Sequence, residues 1–227
     1  MDRSQSVELI VIASTAFFSL FSISRIKSIA PRALAEAGKL HSLFKTALGK
    51  IISPVHGLTT FVPLLVYLVV VPMCRLRQPG WMLWYSLPTL TTIRGFKFDS
   101  PEEMKGAVRI TASVMMCCLA WVNIWIMDVF LGSQWAAIGV REKPTIINTG
   151  PYAVVRHPIY SIMLLVEICF GLMFWSYVPL IGGTIVAICF AVKMPIEEGL
   201  IEDDPKVGQA YREYRKQVPA RIVPLLW

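Results

Sequence analysis

Apolar residues along this chain fall into long runs separated by short polar segments. A helix needs about 20 predominantly apolar residues to cross the hydrocarbon core of a bilayer. Runs approaching that length extend from Val7 to Ile23, Leu58 to Cys74, Val108 to Leu131, Ile159 to Trp175 and Val178 to Val192. The pattern predicts about five transmembrane helices. Only Trp175-Ser176-Tyr177 separates the last two, which predicts a tight helical hairpin turning at headgroup depth, where Trp and Tyr are favoured. Trp81 to Ile93 is apolar but too short to span, and Pro88 interrupts it, so it reads as a partial span or a cap. Between the first two runs, Arg25 to Lys50 is basic. Its apolar residues Leu34, Leu40, Leu43, Phe44 and Leu48 predict an amphipathic helix along the membrane surface.

Composition agrees with this reading. Of the 227 residues, 55% are hydrophobic and 16% charged. Soluble domains carry about 25% charged residues, so a water-soluble enzyme is excluded. The net charge of +7 would point to nucleic acid in a soluble protein. Here it reads as basic loops held on the cytosolic side, and no nucleic-acid partner is expected. Five spans with a lumenal N-terminus put 132–157 and the C-terminal tail in the cytosol. Arg75, Arg77, Arg94 and Lys97 run against that distribution. The first run follows Asp2 and a single Arg3 rather than a strongly basic start, and reads as a retained anchor. The five cysteines form no CxxC pair, so neither a zinc site nor a disulfide framework fits, and no metal is expected. They read as small buried apolar residues.

Polar, motif-like residues concentrate after position 135. Thr149-Gly150-Pro151-Tyr152 is a turn signal. Arg156-His157-Pro158-Ile159-Tyr160 then leads into an apolar run, with Pro158 suited to the first helical turn. The expected structure is a shaped loop feeding a helix N-terminus, whose free N–H groups and dipole favour anions. Taken singly, Arg156, His157 and Tyr160 have a blander reading as interfacial anchors. Lys193 and Glu197 have one as a helix-surface ion pair. His41 and His56, outside this region, read as interfacial or structural. Tyr211 to Lys216 reads as an amphipathic helix covering the site.

The joint pattern resembles the isoprenylcysteine carboxyl methyltransferase family, integral membrane enzymes that use S-adenosylmethionine and have phospholipid N-methyltransferases as relatives. The shared features are Gly150 and Tyr152, Arg156 to Tyr160, an apolar hairpin, Glu197-Glu198, Tyr211 and Tyr214, and Val218-Pro219. They cover roughly 135–224. The resemblance implies an all-α integral membrane protein with a cytosolic cofactor-binding loop and a C-terminal helix. It divides the chain into a transmembrane region, 1–134, which includes the basic surface loop, and a catalytic region, 135–227. It assigns cofactor binding to Pro144, Thr145, Ile146, Ile147, Tyr152, His157, Pro158, Ile159, Tyr160 and Glu197. Lys193 becomes the catalytic residue and, with Arg156, a substrate-binding one.

The chain departs from the family pattern at Pro144, where His is usual, at Ile162, where Gly is common, and at Lys193, where Arg is usual. Pro195 either kinks the last apolar helix or starts a new one. The implied reaction is methyl transfer from S-adenosylmethionine to the C-terminal carboxylate of a prenylated cysteine, in the endoplasmic reticulum with the site facing the cytosol. The implied partners are a prenylated protein C-terminus, or another lipid substrate, and membrane lipids. Alternatives are methylation of a phospholipid or other small molecule, an NADPH-dependent sterol reductase, and a scaffold without activity. Against the reductase, Ile196 to Ile201 replaces its Arg-Asp-Glu-x-x-Cys stretch, and the chain is short.

Overall fold

Helix α1 (Arg3–Ala37) begins at a capping box, in which Gln5 N–H donates to Asp2 Oδ1 at 2.8 Å and Asp2 N–H donates to Gln5 Oε1 at 3.0 Å. The computed structural model describes residues 2–42, 47–89, 92–93, 96–136 and 139–224. In it the expected surface helix between Arg25 and Lys50 is not a separate element. Ala30, Ala33, Leu34, Ala35 and Ala37 favour helix strongly enough that α1 continues through Pro31. Leu40 lies in strand β1 (Leu40–Ser42), and Leu48 already belongs to α2 (Ala47–Met73). Leu43, Phe44 and Lys45 lie outside the described residues.

A short helix, α3 (Gly80–Leu83), and a two-stranded ladder of β2 (Thr92–Ile93) and β3 (Phe96–Lys97) follow. Helix α4 (Pro101–Trp125) starts on Ser100, whose hydroxyl accepts Glu103 N–H at 3.2 Å, with Pro101, Glu102 and Glu103 in its first turn. It widens into a π-helical segment at Ile126–Leu131 and then tightens at Gly132–Gln134. Strand β4 (Val140–Arg141) pairs antiparallel with β1. Helix α5 (Pro158–Phe174) has Pro158 at its first turn, as the sequence predicts. Helix α6 (Tyr177–Glu202) runs unbroken through Pro195, so no new helix starts there. Helix α7 (Gly208–Gln217) closes the fold.

Among the described residues, four segments are long and apolar enough to cross a membrane: α1, most of α2, α4 with its extension to Gln134, and α6. Helix α5 is apolar but only 17 residues long. The chain is an all-α integral membrane protein. Many large apolar side chains point outward, among them Leu20 (70% exposed), Leu58 (64%) and Trp121 (63%), while Phe170, Phe190 and Leu64 fill the interior together with a few buried charges, Glu8, Arg109 and Glu167 among them. Outward apolar surface suits lipid as solvent, and ionisable groups within the spans turn inward.

The principal internal charge is the pair of Arg109 (α4) and Glu8 (α1). The guanidinium donates from Nη1 to Glu8 Oε1 at 2.8 Å and from Nη2 to Oε2 at 2.9 Å. It also reaches Tyr67 Oη of α2 at 2.7 Å and the Met173 carbonyl of α5 at 2.7 Å. One ion pair thus joins four helices.

Helices α5 and α6 form the expected hairpin. Trp175 adopts a left-handed backbone (φ 53°, ψ 48°), and Ser176 caps α6 by accepting Val178 N–H at 3.2 Å. The apolar stretch before residue 93 acts here as a cap rather than a span. Trp175 Nε1–H donates to the Leu87 carbonyl at 2.8 Å, and Tyr177 N–H donates to the Tyr85 carbonyl at 2.8 Å. Arg77 lies at this same end, where it donates to Asp2 at 3.4 Å. Arg94 lies outside the described residues. The cysteines divide: Cys169 and Cys189 are buried as expected, Cys117 is half-buried, and two are exposed, Cys118 on an outward face of α4 and Cys74 in the turn after α2.

Candidate active site

At the opposite end, α2, α5, α6, α7 and the segments 131–136 and 139–147 surround a cavity of about 400 Å³. Of the sequence-predicted residues, Pro144, Thr145, Ile146, Ile147, Tyr152, Arg156, His157, Ile159, Tyr160, Lys193 and Glu197 all line it. Pro158 does not; it is buried at the start of α5.

The loop 144–148 is irregular. Gln134 brackets its start, accepting Thr145 N–H at 3.1 Å and donating to the Lys143 carbonyl at 3.3 Å. Past that bracket, the backbones of Ile146 and Ile147 hydrogen-bond to nothing among the described residues. The turn that follows depends on Gly150, at φ +59°. A Cβ there would overlap the Phe130 ring. Gly150→Ala is expected to destabilise the protein by about 1–3 kcal/mol through strain and displacement of Phe130, measurable as a lowered unfolding midpoint in detergent.

Two glutamates on one turn of α6 have different surroundings. Glu198 is buried and holds the frame. Arg156 Nε–H donates to it at 2.9 Å, Arg221 Nη2–H at 3.1 Å, and His157 Nε2 lies 3.1 Å away. Arg156 also donates from Nη1 to the carbonyls of Val218 at 2.7 Å and Pro219 at 2.6 Å. The backbone amides of Arg156 and His157 donate to the carbonyls of Ala220 and Arg221 at 3.0 and 2.8 Å. The C-terminal strap 218–222 therefore takes the backbone amides of the two residues that lead into α5.

Glu197 faces the cavity. Tyr160 Oη lies 2.8 Å from both of its carboxylate oxygens, and Lys193 Nζ lies 3.7 Å from Oε1. The Tyr160 ring is stacked between His157 (5.3 Å) and Phe190 (4.2 Å), and Lys193 Nζ sits 5.0 Å from its centroid. Position and rotamer are thereby fixed by packing. The Lys193–Glu197 pair is no surface ion pair, since both side chains are less than 15% exposed.

Helix α7 covers one flank, as its pattern predicts. Tyr211 and Tyr214 face inward with Val218, against Ile146 and Ile201. On its outer face, Arg215 donates to Glu202 at 2.5 Å. Tyr214 Oη–H donates to the Tyr152 carbonyl at 2.7 Å. Burial pushes the Tyr214 phenol up to about 12 and raises Tyr152 and Tyr211 as well, so all three stay protonated.

Residues 112–202 match the isoprenylcysteine carboxyl methyltransferase family. The match implies a methyltransferase, and it runs from the middle of α4 through the loop and α5 to the end of α6. No curated protein matches the chain. Outside the matched segment, the cavity has a wall that sequence reasoning missed. Ser53 and His56 of α2 line it, together with Gln134 and Trp135 from inside the match. The only signal for the α2 residues was polar spacing at 53, 56 and 60 on the edge of an apolar run.

Proposed function

We propose that this protein transfers a methyl group from S-adenosylmethionine to the C-terminal carboxylate of a prenylated cysteine. The observation that carries the reading is the Lys193–Glu197–Tyr160 cluster, polar and held by packing, towards the C-terminal end of the otherwise apolar helix α6. The donor set fits the cofactor. Unpaired backbone groups at Ile146 and Ile147 suit a nucleobase, and Glu197 and Tyr160 offer polar contacts for its charged and hydroxylated parts. The cavity volume lies in the ordinary range for small-molecule sites. Thr145, Tyr152, His157 and Ile159 complete the wall that would hold it, with Pro144 and Pro158 setting the backbone on either side.

S-adenosylmethionine supplies a methyl sulfonium, an electrophile strong enough that an ionised carboxylate takes the methyl group without a general base. The work left to the chain is positioning and exclusion of water. Lys193 pins the acceptor carboxylate. Arg156 acts on the acceptor indirectly, by fixing Glu198 and the C-terminal strap. The apolar walls of α2, α5 and α6 receive the prenyl tail from the bilayer. An amine acceptor would meet the Lys193 charge and would have to lose a proton, which favours the carboxylate. The division into a membrane region, 1–134, and a catalytic region, 135–227, belongs to the same proposal, as does an endoplasmic-reticulum site facing the cytosol.

Thermal unfolding in detergent tests the cofactor. S-adenosylmethionine and S-adenosylhomocysteine are expected to raise the midpoint, with NADPH without effect. Stabilisation by NADPH alone, or by none of the three, removes the reading. Radiolabelled methyl transfer to N-acetyl-S-farnesylcysteine, and not to phosphatidylethanolamine, is the expected acceptor result.

A further inference from the structure

Helix α2 lies outside the family match, yet it sends two polar side chains to the cavity wall. Ser53 and His56 are one turn apart on one face. Ser53 Oγ and His56 Nε2 are both buried, and neither has a hydrogen-bond partner among the described residues. Buried polar atoms are paired in the great majority of cases. The next polar residue on the same face shows that this helix can satisfy its hydroxyls: Thr60 Oγ1 donates to Glu167 at 2.6 Å. The two unmet atoms are therefore confined to the part of α2 that borders the cavity.

Their neighbours indicate which ligand chemistry meets them. The His56 ring packs edge-on against Phe190 at 4.8 Å, and Phe190 stacks on Tyr160, over which Lys193 sits. His56 and Lys193 thus flank the same pair of rings from two helices. Lys193 is a point charge on a flexible stem, and it holds Glu197 only at ion-pair distance. One ammonium group locates a carboxylate but leaves its plane free to turn. A carboxylate offers about four acceptor sites on two oxygens, more than Lys193 alone can define.

We propose that Ser53 and His56 bind the acceptor carboxylate together with Lys193, forming a three-donor subsite across the α2–α6 seam. Neutral His56 donates from Nε2–H and Ser53 from Oγ–H. The subsite confers preference for a carboxylate over its amide. It rests on the carboxyl-methylation reading and adds the residues that orient the acceptor.

The test uses the full chain in detergent, with N-acetyl-S-farnesylcysteine and its carboxamide as ligands. His56→Phe keeps the ring packed on Phe190 and removes the donor. It is expected to raise the acceptor KM about tenfold, leave S-adenosylmethionine affinity unchanged, and erase the preference for carboxylate over carboxamide in competition binding. His56→Gln, which restores a donor, is expected to recover most of the loss, and Ser53→Ala to show a smaller rise in KM. Wild-type acceptor KM in both His56→Phe and Ser53→Ala overturns the subsite and leaves the methyltransferase reading standing. A parallel loss of S-adenosylmethionine affinity in both variants also overturns it, since that marks a structural role. A wild-type protein that binds neither cofactor nor farnesylcysteine overturns the functional reading, and the subsite with it.

Discussion

Glu198→Ala is expected to destabilise the protein by about 3–5 kcal/mol, while Glu197→Gln on the next residue is expected to fold normally and lose methyl transfer about 100-fold. The contrast follows from what each carboxylate touches. Removing Glu198 leaves Arg156, whose side chain is 4% exposed, as a buried charge without its carboxylate, and also releases Arg221 and His157. The strap 218–222 and the start of α5 then lose a shared anchor. Glu197 contributes little to that frame. An amide in its place would keep the shape but lose the charge that Tyr160 and Lys193 are arranged around. Thermal unfolding, cofactor affinity and initial rate, measured on both variants, separate the two roles. If Glu198→Ala melts with the wild type, the anchoring role is wrong. If Glu197→Gln retains full rate, Glu197 is not part of the site.

Arg109→Met carries the second large effect. The pair with Glu8 is bidentate and inaccessible, and breaking one side of such a pair costs about 3–5 kcal/mol because the other charge stays buried. The expected outcome is a lower unfolding midpoint in detergent and a smaller folded fraction on purification. The double variant Glu8→Leu/Arg109→Met is expected to recover most of the loss, because no lone charge remains. Failure of the double variant to recover would mean that Tyr67 and the Met173 carbonyl, rather than charge balance, dominate that junction.

The sequence disclosed the local features well. Pro158 as a helix start, the turn at Gly150, the hairpin near Trp175 and the inward face of α7 each depend on neighbours within a turn or two. What it could not disclose depended on pairing across the chain. Glu8 and Arg109 are 101 positions apart, and nothing near either residue in the sequence marks its partner. Glu167, inside an apolar run, acquires its meaning only beside Thr60. Ser53 and His56 stand just ahead of the second apolar run, and their polar spacing alone does not mark them as cavity wall. Pro31 and Pro195 each sit in helices that continue, because packing and strong helix formers on either side outweigh one lost hydrogen bond.

The shortness of α5 has a consequence for how a lipid-tailed molecule would reach the site. Seventeen helical residues span about 25 Å, several ångströms less than the hydrocarbon core of a typical bilayer. Its companions α4 and α6 are longer. A bilayer meeting such a mismatch thins locally rather than exposing apolar surface. The headgroup plane would therefore dip beside α5, towards His157 and Tyr160. A tail embedded in that leaflet could present its polar tip at the cavity mouth while its chain stayed solvated by lipid, so capture would not require lifting the tail through water.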